Sequence, residues 1–150
     1  RAGSRKSKAH SIGLGIILPK EQKYNGHIDY RKTFTHFTGR LDRFTLLSNA
    51  VVVAPGGVGT MLELFYVWQL VQVKKIKSIP IILLGTQWEE FIEWLEKWPL
   101  RKKYFTKDDL NILFLAKDSN EAVKIIDRAY CEYKTGNDEF CKNYKGYRIK

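Results

Sequence analysis

Apolar and polar positions along the chain sort into two kinds of block. Compact apolar runs at Gly13 to Leu18, Val51 to Val53, Ile79 to Leu84 and Ile112 to Ala116 are bounded by proline, glycine or polar residues, and they read as buried strands. Between them lie longer segments of helical period. Arg40 to Ser48 brings Leu41, Phe44 and Leu47 onto one face, and Trp88 to Trp98 sets Phe91, Ile92 and Leu95 against Glu89, Glu90, Glu93 and Glu96. A last helix starts at Asp118-x-x-Glu121 and carries Ala122, Val123, Ile125, Ile126, Ala129, Tyr130 and Tyr133 as a broad apolar stripe. Residues 19–31 read as a polar loop with an Asn25-Gly26 turn, and Thr33 to Thr38 as a short strand alternating threonine with aromatic residues. Gly39 then breaks the strand, so that Arg40 begins the next helix at a strand-to-helix corner.

Strands that alternate with helices predict an α/β fold, with a mostly parallel sheet and helices on both faces. The 150 residues suffice for a single domain (1–150) with a real core, loosely ordered at 1–10 and 134–150, and no internal repeat is visible. The segment from Met61 to Val73 stands apart, because between Leu62 and Val73 only Glu63, Gln69 and Gln72 are polar. A helix apolar almost all round needs cover on both sides. The sheet supplies one, and a second copy of the chain is the expected source of the other, giving a homodimer through residues 61–73.

The stretch from Val51 to Glu63 carries the candidate chemistry. A β-branched run ends at Pro55, the turn Gly56-Gly57-Val58-Gly59 follows, and Thr60 opens a helical segment. Strand, glycine turn and helix in that order place backbone N–H groups at a helix N-terminus, where the helix dipole favours an anion. The glycines permit positive φ and let a ligand approach the backbone, and Thr60 adds a hydroxyl. No lysine follows the glycines before Lys74, and G-x-G-x-x-G is absent, so a monophosphate suits the loop better than a triphosphate or a dinucleotide. The same residues have a structural reading, in which Thr60-x-x-Glu63 is a capping box that satisfies the helix start and nothing more.

Pro55-Gly-Gly-x-Gly-Thr-x-x-Glu63 resembles the signature of the LOG (Lonely Guy) family, whose members were often labelled possible lysine decarboxylases. Arg40 stands fifteen positions before the motif proline, as the family's arginine does. Ser11 to Leu14, Leu18 to Gln22, Gly85 to Trp88 and Asp108 to Leu110 are similar to a bacterial branch of that family, and the likeness covers roughly residues 10 to 130. The resemblance implies a Rossmann-like fold, usually dimeric, that hydrolyses nucleoside 5′-monophosphates to free base and ribose 5-phosphate. Cytokinin-type or purine nucleotides such as AMP are the expected substrates, and no cofactor is expected. Arg40 and Glu63 are then the catalytic pair, and Gly56, Gly57, Val58, Gly59 and Thr60 hold the phosphate. The family also carries a strand–helix unit upstream, so a trimmed chain is expected here. This sequence departs from the family pattern at Leu41, where lysine often follows the arginine, and at Leu62, where many members have a second glutamate.

Composition changes the picture little. Hydrophobic residues make up 44%, as in a soluble globular protein, and no apolar run approaches a membrane span. The net charge of +10 invites a nucleic-acid reading, but residues 1–10 hold +4 of it and residues 134–150 hold +3. No zinc-finger or RNA-binding pattern accompanies the excess, which argues against nucleic acid as a partner. Cys131 and Cys141 are expected as free thiols of a cytoplasmic protein, and His10, His27 and His36 lack any metal-ligand spacing, so no metal site is expected. Nothing marks a pyridoxal-phosphate lysine. The alternative to a hydrolase is a non-catalytic binder of a phosphorylated nucleotide or cofactor, such as a molybdenum-cofactor carrier, which would keep the loop without needing Glu63.

Overall fold

A computed structural model describes residues 7, 9–18 and 27–136. They form two compact units, one within residues 1–48 and one within residues 49–150. Both are α/β and all strand pairing is parallel, so the chain is Rossmann-like in its elements. The expected loose segments fall mostly outside the described residues, as does the Asn25-Gly26 turn.

In the first unit β1 (Ile12–Ile16) pairs with β2 (Tyr30–Phe34), in register from Ile12 opposite Tyr30 to Ile16 opposite Phe34. The Asp29 carboxylate clasps the two strand starts, accepting from the backbone N–H and the hydroxyl of Ser11, both at 2.7 Å. Here the sequence expectation needs correction. The second strand lies at Tyr30–Phe34, not Thr33–Thr38, because the threonine–aromatic alternation runs across a strand end, a turn and a helix start. Helix α1 (Phe37–Leu47) begins after His36 and contains Gly39, so Arg40 is its fourth residue rather than its first. Leu41 and Thr45 are its buried positions, with the Thr45 hydroxyl returned to the Leu41 carbonyl at 2.9 Å, while Leu47 is exposed.

The second unit runs β3 (Val51–Val53), α2 (Val58–Gln72), β4 (Ile81–Leu84), α3 (Gln87–Leu95), a π-helical turn (Glu96–Leu100), α4 (Lys107–Leu110), β5 (Leu113–Ala116) and α5 (Ser119–Lys134). The strand order is β3-β4-β5. Ile81, Ile82 and Leu83 are all fully buried, as expected for a central parallel strand covered on both faces. On one face Ile82, Phe114 and Ala116 pack with Ala122 and Ile125 of α5. Asp118 caps α5, accepting from the N–H of Asn120 at 2.8 Å and of Glu121 at 3.0 Å, as the Asp118-x-x-Glu121 pattern predicts.

α3 stops as an α-helix at Leu95, short of the expected Trp98. Pro99 has no N–H to donate, and its ring crowds the carbonyl four residues back, so the chain widens into the π turn. α2 is also less uniformly covered than its composition suggests. Leu64, Val67, Trp68 and Val71 are buried by the chain itself, while Val58, Leu62, Phe65 and Val73 are exposed.

Candidate phosphate-binding loop

The glycine loop leaves the carboxyl end of β3 and enters α2 directly. Gly57 is the N-cap, in extended conformation, and the first helical hydrogen bond runs from Met61 N–H to the Gly57 carbonyl at 3.1 Å. Val58, Gly59 and Thr60 form the first turn, whose N–H groups have no acceptor inside a helix. The N-cap, a glycine, has no side chain to cap this end, and no acidic residue lies in the first turn. Residues 54 to 59 are exposed. The arrangement is a start of a fifteen-residue helix that presents donors to solvent with no built-in anion.

Two expectations are overturned at this loop. Thr60 is the third residue of the helix and Glu63 the sixth, so Thr60-x-x-Glu63 is not a capping box. The capping box of this unit lies instead at Thr106 and Asp109, where Asp109 Oδ2 accepts from Thr106 N–H at 2.7 Å. Positive φ is also not what the three glycines provide, since Gly85 and Gly136 are the glycines with positive φ among the described residues. Gly56 provides clearance: a Cβ there would run into the Thr60 hydroxyl and lie 2.8 Å from Thr60 Cβ. Gly57 and Gly59 face open space, with nothing within 4 Å of where a Cβ would sit. A ligand can therefore approach the backbone itself.

Glu63 is half-buried one and a half turns into α2, on the side of the helix it shares with Thr60. Arg40 belongs to the other unit. Its side chain is half-buried, and its Nε donates to the Leu14 carbonyl of β1 at 2.8 Å. Ile17 N–H bonds to Phe34 on β2, so by the alternation of a strand the Leu14 carbonyl points away from β2. Arg40 thus satisfies an acceptor that β2 cannot reach.

Two features near the carboxyl edge of the sheet escape periodicity. Gly85 ends β4 at φ 107°, a left-handed conformation that favours glycine, and there a Cβ would lie 2.5 Å from Gln87 Oε1. The Trp88 indole N–H is buried with no hydrogen-bond partner among the described residues. Only the glycine at the end of an apolar run signals the first, and nothing in the sequence signals the second.

A cavity of about 620 Å³ lies elsewhere, between Asn49, Lys77, Pro80, Ile126, Tyr130 and Tyr133. It sits at the amino ends of β3 and β4, opposite the loop, whereas ligands of open α/β sheets bind at the carboxyl ends. The loop is therefore the better candidate. Among the described residues no cluster of three or more histidine, cysteine or acidic side chains could hold a metal, and no helix is long and apolar enough to cross a membrane.

A comparison with curated proteins gives no match. The family model described as possible lysine decarboxylase matches residues 1–126, a span that takes in Arg40, the whole glycine loop and Glu63. Over most of its length, and with its signature loop set at a strand-to-helix turn, the chain belongs to the possible lysine decarboxylase family, the LOG family of the resemblance.

Proposed function

We propose that the chain hydrolyses the N-glycosidic bond of nucleoside 5′-monophosphates, releasing free base and ribose 5-phosphate. The observation that carries this reading is the start of α2, an exposed helix end whose N-cap is a glycine and where a Cβ at Gly57 or Gly59 would meet nothing within 4 Å. Its donors suit a phosphate dianion, and a phosphate remote from the reacting carbon provides the handle that orients the rest of the nucleotide. In the reaction the C1′–N bond breaks with its electron pair leaving on the base, and water adds to C1′ and gives up a proton. Positive charge builds on the ribose on the way. Glu63 stabilises that charge or takes the proton from water, and Arg40 grips the phosphate or orients Glu63. Family membership supports the same reaction class.

The same reading includes a homodimer through α2, whose exposed Val58, Leu62, Phe65 and Val73 lie along one side of the helix, and a cytoplasmic location, where nucleoside monophosphates are made and consumed. It also takes residues 1–150 as one domain, since the family match runs across both units. Incubating the full-length protein with a panel of nucleoside monophosphates, and assaying free base and ribose 5-phosphate, tests the activity. AMP binding with no base released from any member of the panel would replace the hydrolase with a carrier.

A further inference from the structure

Two turns at the amino edge of the second unit's sheet share one backbone device. Lys74, just past α2, donates its N–H to the Val71 carbonyl at 3.1 Å, and Lys75 donates to the Leu70 carbonyl at 2.9 Å. Lys103, just past the π turn, donates to Leu100, and Tyr104 donates to Pro99, both at 2.9 Å. Each pair of bonds closes a helix end through a pivot residue in left-handed conformation, which is usually glycine. Here both pivots are lysine, at φ 57° and 61°, and among the described residues they are the only non-glycine residues with positive φ. Glycine would relax the backbone at either turn, whereas lysine adds a charge at a fixed position.

The charge around the pivots is one-sided. Residues 74–77 hold three lysines, residues 97–107 hold five basic side chains, and neither segment has an acidic one. All eight are exposed, and among the described residues no ion pair engages any of them. Asp109, just beyond, is turned to the Thr106 cap. Both segments lead into parallel strands, β4 and β5, and so open at the same edge of the sheet. Residues 11–133 sum to only +3, so a count along the chain puts the excess at the termini, while the fold gathers +8 in these two turns. Among the basic residues stand two rings, Trp98, 51% exposed, and Tyr104, 80% exposed. Lys97 Nζ lies 5.8 Å from the Trp98 ring centroid.

We propose that this edge binds single-stranded nucleic acid, with the lysines and Arg101 on its phosphates and its bases stacked on Trp98 and Tyr104. Exposed rings interleaved with fixed cations match a single strand, since every base offers a π-face and every linkage a phosphate. A duplex keeps its bases from both rings. A bilayer surface would need a broad apolar face to take in, and the neighbouring Pro99, Leu100 and Phe105 are half-buried. The edge lies opposite the glycine loop, so strand binding and nucleotide chemistry use separate surfaces.

Fluorescence anisotropy of labelled single strands of RNA and of DNA, titrated with the full-length protein over a range of salt, tests it. The expected dissociation constant is about 1–100 μM at physiological salt. Lys74→Gly with Lys103→Gly removes two charges and suits both left-handed turns, so this variant is expected to melt no lower than the parent. Its slope of log K against log salt is expected to be shallower by about 1.4. Tyr104→Ala is expected to weaken binding about 5- to 100-fold with the slope unchanged. A parent that binds neither strand overturns the proposal. Folded variants that bind like the parent also overturn it and leave the basic termini as the contact. Equal affinity for duplex and single strand overturns the stacking on Trp98 and Tyr104. Binding to phosphatidylserine vesicles that single strands do not compete away overturns it in favour of an anionic membrane surface.

Discussion

Arg40 Nε and the carbonyl of Leu14 lie 2.8 Å apart, tying helix α1 to the middle of β1. The bond gives Arg40 a structural duty beside the catalytic one proposed for it. Arg40→Ala is therefore expected to lose about 1 kcal/mol of stability along with turnover. Arg40→Lys keeps the charge but not the planar fork, and is expected to recover only part of either. Chemical denaturation and base release, measured on the same preparations, separate the two losses. An arginine that could be replaced without effect on turnover would remove Arg40 from the catalytic pair.

Glu63 is not a cap, and its removal should show it. Glu63→Gln keeps the size of the side chain and is expected to leave the protein folded. Turnover on the preferred nucleotide is expected to fall by on the order of 100- to 10,000-fold. Thermal unfolding and steady-state kinetics together check this pair of outcomes.

Gly56 and Gly59 should respond in opposite directions to the same substitution. Gly56→Ala drives a methyl into Thr60 and is expected to cost about 1–3 kcal/mol. At Gly59 the methyl meets nothing, and alanine is the better helix former, so Gly59→Ala is expected to gain about 0.5–1 kcal/mol. That methyl would nevertheless stand where the phosphate approaches, and affinity for AMP is expected to drop at least tenfold. Calorimetric titration with AMP, beside melting curves, reads both effects.

Trp68 offers a test of packing alone. Its indole N–H donates to the Asp109 carbonyl at 2.8 Å, and its ring meets Phe105 edge-on and stacks on Phe65. Trp68→Phe keeps an aromatic ring and leaves a partly buried carbonyl without that donor, with an expected loss of about 1–2 kcal/mol. Trp68→Ala is expected to lose about 3–5 kcal/mol. Urea melts of the two variants measure the difference.

Should residues 1–150 make one domain, a single cooperative transition is expected, and tryptophan fluorescence and far-UV circular dichroism will coincide through it. All four tryptophans lie in the second unit, whereas circular dichroism reports on both. Two separated transitions would show the units unfolding independently.

The sequence alone determined the alternation of elements in the second unit, because there β4 and β5 are buried along nearly their whole length, Val51 and Val53 are buried in β3, and each helix buries one side. Val51–Val53, Ile81–Leu84 and Leu113–Ala116 could be read as runs, and α5 as a stripe opened by Asp118, since burial by local neighbours leaves a mark on every residue. The glycine loop was legible for the same reason: strand, turn and helix chemistry are local. β2 was not legible, because Tyr30 to Thr33 are exposed and the strand is held by backbone pairing to β1, which leaves no apolar period. Only tertiary structure decided where α1 and α2 begin. Phe37-Thr38-Gly39 lacks helical preference and joins α1 nonetheless, and α2 starts a turn earlier than Thr60 and Glu63 suggest, which turns an apparent capping box into a bare helix end. Composition likewise could not say which side of α2 is covered. Leu64 and Phe65 are neighbours of equal apolar character, and what separates the buried one from the exposed one is where the rest of the chain comes to lie.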